Sequence, residues 1–153
     1  SEPANAKFIA SNFSLLPENT VYVKNFEDWK KAYIDLQKKV DILVIGVNGS
    51  YLKWDDPIQK KALVDFVMDN TTVPTVTEHA WMVEFTLLAY AKMGQEQGEW
   101  SAKSALSILD GEKPAAIKIV KNQEGELAIN LKLADKLGFK FRPELLKKAI
   151  LFK

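Results

Sequence analysis

Residues 83–94 read VEFTLLAYAKMG, and the fold turns on whether this run is a helix or a strand. It is too evenly apolar for periodicity to choose: a buried helix segment and a short strand buried between turns would both be written this way. As a helix it would join the residues before it into one long element over 80–93. As a strand it would add a member to a sheet. The neighbouring sequence shows which company the run keeps.

Upstream and downstream, short β-branched runs alternate with longer amphipathic stretches, the mark of α/β organisation. Residues 20–23, TVYV, read as a strand. Asn25 is placed to cap a helix whose apolar positions Phe26, Trp29, Tyr33, Leu36 and Val40 recur at threes and fours. The run DILVIG at 41–46 predicts a strand buried on both faces. Asp56-Pro57 opens a helix that turns Ala62, Leu63, Phe66 and Val67 inward and ends near Asn70. A third strand is expected at 73–77. Gly94 to Leu109 reads as a helix with Trp100, Ala105, Ile108 and Leu109 on one side, stopped by Gly111. Beyond Pro114, residues 117–120 predict another strand, 122–125 a turn and 127–129 an extended segment. Asn130 can cap the helix LKLADKLG, and Pro143 opens a last helical turn or two before ILFK.

Composition narrows the function. The chain of 153 residues suits one domain with a real core. Lys and Arg number 21 against 20 Asp and Glu, a balance that offers no sizeable electrostatic footprint for nucleic acid or membrane. Arg142 is the single arginine, thin provision for phosphate recognition. With no cysteine, disulfides, thiol catalysis and cysteine-ligated zinc drop out together. No run reaches the length of a membrane span, and SEPANAKF has no signal-peptide pattern.

The segments GQEQGEW (94–100), ILDGEKPAAIKIV (108–120) and LAINLKLADKLGFKF (127–141) carry a family likeness. Together they resemble the C-terminal half of bacterial ABC-transporter substrate-binding proteins of the periplasmic binding protein type I fold. The resemblance runs over roughly residues 20–150. It implies an α/β fold: a parallel-sheet, Rossmann-like three-layer lobe in which residues 85–91 form a strand. It also implies that residues 1–115 form the ligand-binding lobe. Residues 116–153 would then be a crossover segment that returns to an N-terminal lobe missing from this sequence. What it implies for function is binding of a small solute, amino acids included, without catalysis and without a cofactor. An ABC permease or a sensor protein would be the partner, and the location periplasmic or extracellular. The apolar tail Phe139, Phe141, Leu145, Leu146, Ile150 and Phe152, deprived of that lobe, is expected to drive self-association.

In parallel α/β sheets, ligands bind beyond the carboxyl ends of strands. Three segments qualify. Asn48, Gly49, Ser50 and Tyr51, with Trp54, follow DILVIG; Glu78, His79 and Trp81 follow the strand at 73–77; Lys92 and Met93 follow 85–91 if that run is a strand. Glycine lets backbone amides approach a ligand, Asn and Ser add short hydrogen-bonding groups, and tryptophans wall an apolar cleft. The same residues also suit an ordinary turn and ordinary packing. His79 is the only histidine, so a metal site would lack a second nitrogen or sulfur ligand. Ser50 has no GxSxG context, and no GxGxxG or P-loop occurs. VTEHAWM (76–82) is therefore read as a binding lip in which Glu78 faces an amino group and Trp81 or Trp54 stacks on the ligand. A stand-alone sensor or interaction module is the alternative, with a small hydrolase using Ser50 and His79 a further one.

Overall fold

The structure, a computed structural model, describes residues 20–46 and 56–153. They fall into two compact units, the first drawing on residues up to 43 and on 56–73, the second on 44–46 and 74–153.

The first unit is built on helices α1 (Phe26–Gln37) and α2 (Pro57–Asn70). Both start where the sequence says. Asn25 accepts the Asp28 amide at 2.8 Å, and Asp56 accepts from Ile58 and Gln59 with Pro57 in the first turn. Such caps satisfy donors that a helix start leaves open. Trp29 and Tyr33 stack with ring centroids 4.8 Å apart, and Phe66 of α2 meets them edge-on at 6.0 and 5.9 Å. Beneath this, Leu63 and Val67 are fully buried. The exit of α2 is held by one side chain. Gln37, buried, donates to the carbonyls of Tyr33 and Asn70 and accepts from the amides of Thr72 and Val73. Beside it the hydroxyls of Tyr33 and Thr71 meet at 2.7 Å.

The sheet has five strands in the order β1 (Leu43–Val44), β2 (Thr75–Thr77), β3 (Leu88–Lys92), β4 (Gly125–Asn130) and β5 (Ile150–Phe152). Strands β2 and β3 are parallel, β4 is antiparallel to β3, and β5 returns parallel to β4. The run 83–94 thus resolves as strand at its centre, with a 3-10 helix over Ala80–Glu84 in front. No continuous helix covers 80–93. A β2-to-β3 crossover this short leaves no room for a full α-helix, and threonines tie it down. Leu87 donates its amide to Thr75 Oγ1 at 2.8 Å, and Thr86 donates to the Met82 carbonyl. Ala89 and Ala128 are register partners on β3 and β4, both buried, and Val83 of the 3-10 helix packs on them. Two alanines side by side give that short helix space to lie close to the sheet.

Asn130 ends β4 and caps the next helix, α4 (Leu131–Leu137), by accepting the Leu133 amide. Gly138 closes α4 in the left-handed conformation, φ 64°, where a side chain would be strained. Helix α3 (Gly94–Leu109) and the short α5 (Pro143–Lys148) complete the second unit. Residues 125–153 therefore share a unit with 74–92.

Several expectations need correction. Residues 20–23 and 117–120 do not form strands; Ile119 is fully solvent-exposed, and a β-branched run without a neighbouring strand gains nothing from being extended. The strand at 41–46 shrinks to two residues, and burial alternates: Leu43 and Ile45 are inside, Ile42 and Val44 outside. Helix α3 forms over Gly94–Leu109 as read. No residue of α3 is buried, and Trp100, Leu106, Ile108 and Leu109 are all exposed.

Candidate functional site

Glu78, His79 and Trp81 lie where β2 ends. Because β2 and β3 are parallel, their carboxyl ends open on the same edge of the sheet, the edge where such folds hold ligands. His79 has extended backbone, φ −122° and ψ 116°, and its carbonyl accepts the Met82 amide to start the 3-10 helix. That one turn carries Trp81 outward, while Met82 and Val83 face the core. Apolar and polar aims alternate within four residues, and the buried Thr77 donates its hydroxyl to Met82 Sδ at 3.5 Å.

All three side chains are partly open: Glu78 is 42% exposed, His79 32% and Trp81 46%. His79 Nε2 stands 3.6 Å from Glu78 Oε1, longer than a hydrogen bond. That nitrogen is closed off from solvent and has no hydrogen-bond partner among the described residues. The imidazole and the indole face one another at 6.0 Å, tilted by 38°. A carboxylate, an imidazole and a part-exposed indole thus stand side by side at the end of β2. Such a set can hold a small polar-aromatic or cationic group.

The register adds a residue that sequence reading passed over. Val76 pairs with Leu88 and Thr77 with Ala89, so Tyr90 is the first residue of β3 beyond the paired end of β2. Tyr90 is 58% exposed. Its signal was the alternation Leu88, Tyr90, Lys92 against Ala89, Ala91, hidden while the run could still be a helix. Lys92, exposed, ends β3 opposite Gly125, with Met93 just beyond.

Asn48, Gly49, Ser50, Tyr51 and Trp54 lie outside the described residues. Among the described residues no group of three or more His, Asp or Glu side chains is arranged to hold a metal ion. A separate shallow cavity of about 290 Å³ lies between α3, at Trp100, Ser104 and Ser107, and residues 116–120. It contains none of the residues that the sequence marked.

The family described as ABC transporter substrate binding protein matches residues 5–153. No curated protein matches the sequence. Three solved structures share the fold. An ABC domain in complex with L-Trp from Streptococcus pneumonia is 20% identical, with a TM-score of 0.61, over 97% of this chain and 52% of that one. The ligand-free, open form of a substrate binding protein with adhesive properties from Clostridium difficile is 16% identical, with a TM-score of 0.60, over 86% and 42%. A conserved domain protein from Vibrio cholerae is 18% identical, with a TM-score of 0.54, over 87% and 43%. The chain spans about half the length of each solved chain it matches.

Proposed function

Because the chain belongs to the ABC transporter substrate-binding protein family, we propose that it contributes the binding wall of a solute receptor in an ABC-type transport or sensory system. It holds a small molecule such as an amino acid and does no chemistry on it. The observation that carries this reading is the placing of Glu78, His79 and Trp81 together, all part-exposed, at the carboxyl end of a parallel strand. Glu78 receives the ammonium group, and Trp81 and Tyr90 flank the apolar part, with the His79 ring beside Trp81. Asn48, Gly49, Ser50, Tyr51 and Trp54 are taken as further ligand contacts on the sequence pattern alone. Capture proceeds by closure of a second lobe over this one, as in hinged binding proteins. The receptor works outside the cytoplasmic membrane and delivers to a permease or a sensor partner.

A ligand that binds only the native state raises the melting temperature, by an amount set by its concentration relative to Kd. A thermal-shift screen of amino acids against the chain tests the reading. A rise for one chemical class, reduced by Glu78→Gln, supports solute binding at the lip. A flat response across the panel, with turnover of an ester substrate abolished by His79→Ala, would replace it with the hydrolase.

A further inference from the structure

The tail of the chain has its own chemistry. Residues 139–153, FKFRPELLKKAILFK, hold five cations and one carboxylate, in a protein whose net charge is +1. Lys140, Arg142, Lys147, Lys148 and Lys153 are all exposed, and none joins an ion pair among the described residues. Between them stand Phe139, 45% exposed, Leu145 at 38% and Ile150 at 51%. The rings of Phe139 and Phe141 lie 5.3 Å apart. These residues run from the end of α4 through α5 to β5, the last strand of the sheet.

We propose that this corner docks on an anionic lipid bilayer surface, its cations meeting headgroup phosphates while Phe139, Leu145 and Ile150 enter the acyl boundary. Interleaved basic and apolar side chains bind such surfaces through both terms at once, and lysine stems let the charge reach the phosphate while the hydrocarbon stays low. A protein partner is a poorer fit. Protein interfaces carry a hydrogen bond every one or two hundred square ångströms or so, and residues 139–153, with no Ser, Thr, Asn or Gln, offer no neutral side-chain amide or hydroxyl toward them. A second copy fits worse still, because a two-fold contact would set this positive corner against itself. Strand addition along β5 is also blunted: the strand has three residues and lysines at both ends. Edge protection explains Lys147, Lys148 and Lys153, but not Phe139, Lys140 and Arg142 further back.

The test is co-sedimentation of the 153-residue chain with vesicles. The expected result is binding to phosphatidylglycerol-rich vesicles, none to phosphatidylcholine vesicles, and release by high salt, which screens the charges. The exposed double change Lys147→Glu, Lys148→Glu weakens binding roughly tenfold or more, with an unchanged melting curve. Phe139→Ala weakens it without altering the salt dependence. Absence of binding to anionic vesicles at low salt overturns the proposal, as does binding that survives the double change. A stable dimer by light scattering that is broken by Phe139→Ala, or retention on an acidic polypeptide without vesicle binding, overturns it in favour of a protein partner.

Discussion

Asn130 Nδ2 donates to the carbonyl of Val83 at 2.9 Å, so a residue at the end of β4 holds the turn that carries the lip. The same amide approaches the Glu84 carbonyl at 3.3 Å, while Oδ1 accepts the Leu133 amide and starts α4. Asn130 is 1% exposed, with both ends of its carboxamide used. It couples the 3-10 helix bearing Trp81 to the following helix through one side chain.

Replacing it therefore exposes two faults at once. Asn130→Ala leaves the Val83 carbonyl and the Leu133 amide unpaired in the core, and each such group costs about 1–3 kcal/mol. Asn130→Asp keeps the cap but turns a donor into an acceptor against the Val83 carbonyl. Urea denaturation should show both variants losing roughly 2 kcal/mol or more, and solute affinity should fall with them.

Gly125 is required by Tyr90. A Cβ on Gly125 would meet the Tyr90 ring, which lies across the start of β4. Gly125→Ala must push that half-exposed ring aside, a shift cheaper than overpacking a core and worth at most about 1 kcal/mol. Adding Tyr90→Ala should recover part of the loss, and a double-mutant cycle on denaturation midpoints measures the coupling. Additive costs would mean that the ring does not rest there.

Glu96, in the first turn of α3, accepts the amides of Gln123 and Glu124 and the carboxamide of Asn122 at 2.7 to 3.1 Å. Those bonds, the Gln123 amide foremost, hold its carboxyl below the usual carboxylate range. A depressed folded value means that the contribution is present above the ordinary glutamate range and is lost as pH falls through the folded value. Stability should accordingly decline on acidification from about pH 5, and Glu96→Gln should flatten part of that decline. An identical pH profile for the variant would remove Glu96 from the account.

Much of this was legible in the residues. Asn25, Asp56-Pro57 and Asn130 mark helix starts through side-chain chemistry that acts within three residues, and each caps as read. Strand identity was not legible from periodicity; likeness to a family placed a strand at 85–91, and the pairing of Leu88–Lys92 with β2 and β4 bears it out from Leu88 onward, while 85–87 stay outside the strand. The misses share a cause. TVYV and IKIV have strand composition, but a strand exists only where another offers its backbone, and among the described residues none is offered at either place. The short β5, ILF, escaped notice because three residues are too few for a pattern. At the lip, residue types pointed to Glu78, His79 and Trp81, whereas Tyr90 joins them only through register.

Solute capture at this lip is the central claim, and calorimetric titration of the chain with amino acids tests it most directly. Binding of a ligand that combines an ammonium group with an apolar or aromatic part is expected. Trp81→Ala should weaken it roughly tenfold, the worth of one lost stacking contact, and Glu78→Gln by a similar or greater factor. Binding that ignores both substitutions, or no heat for any solute in the panel, would contradict the account.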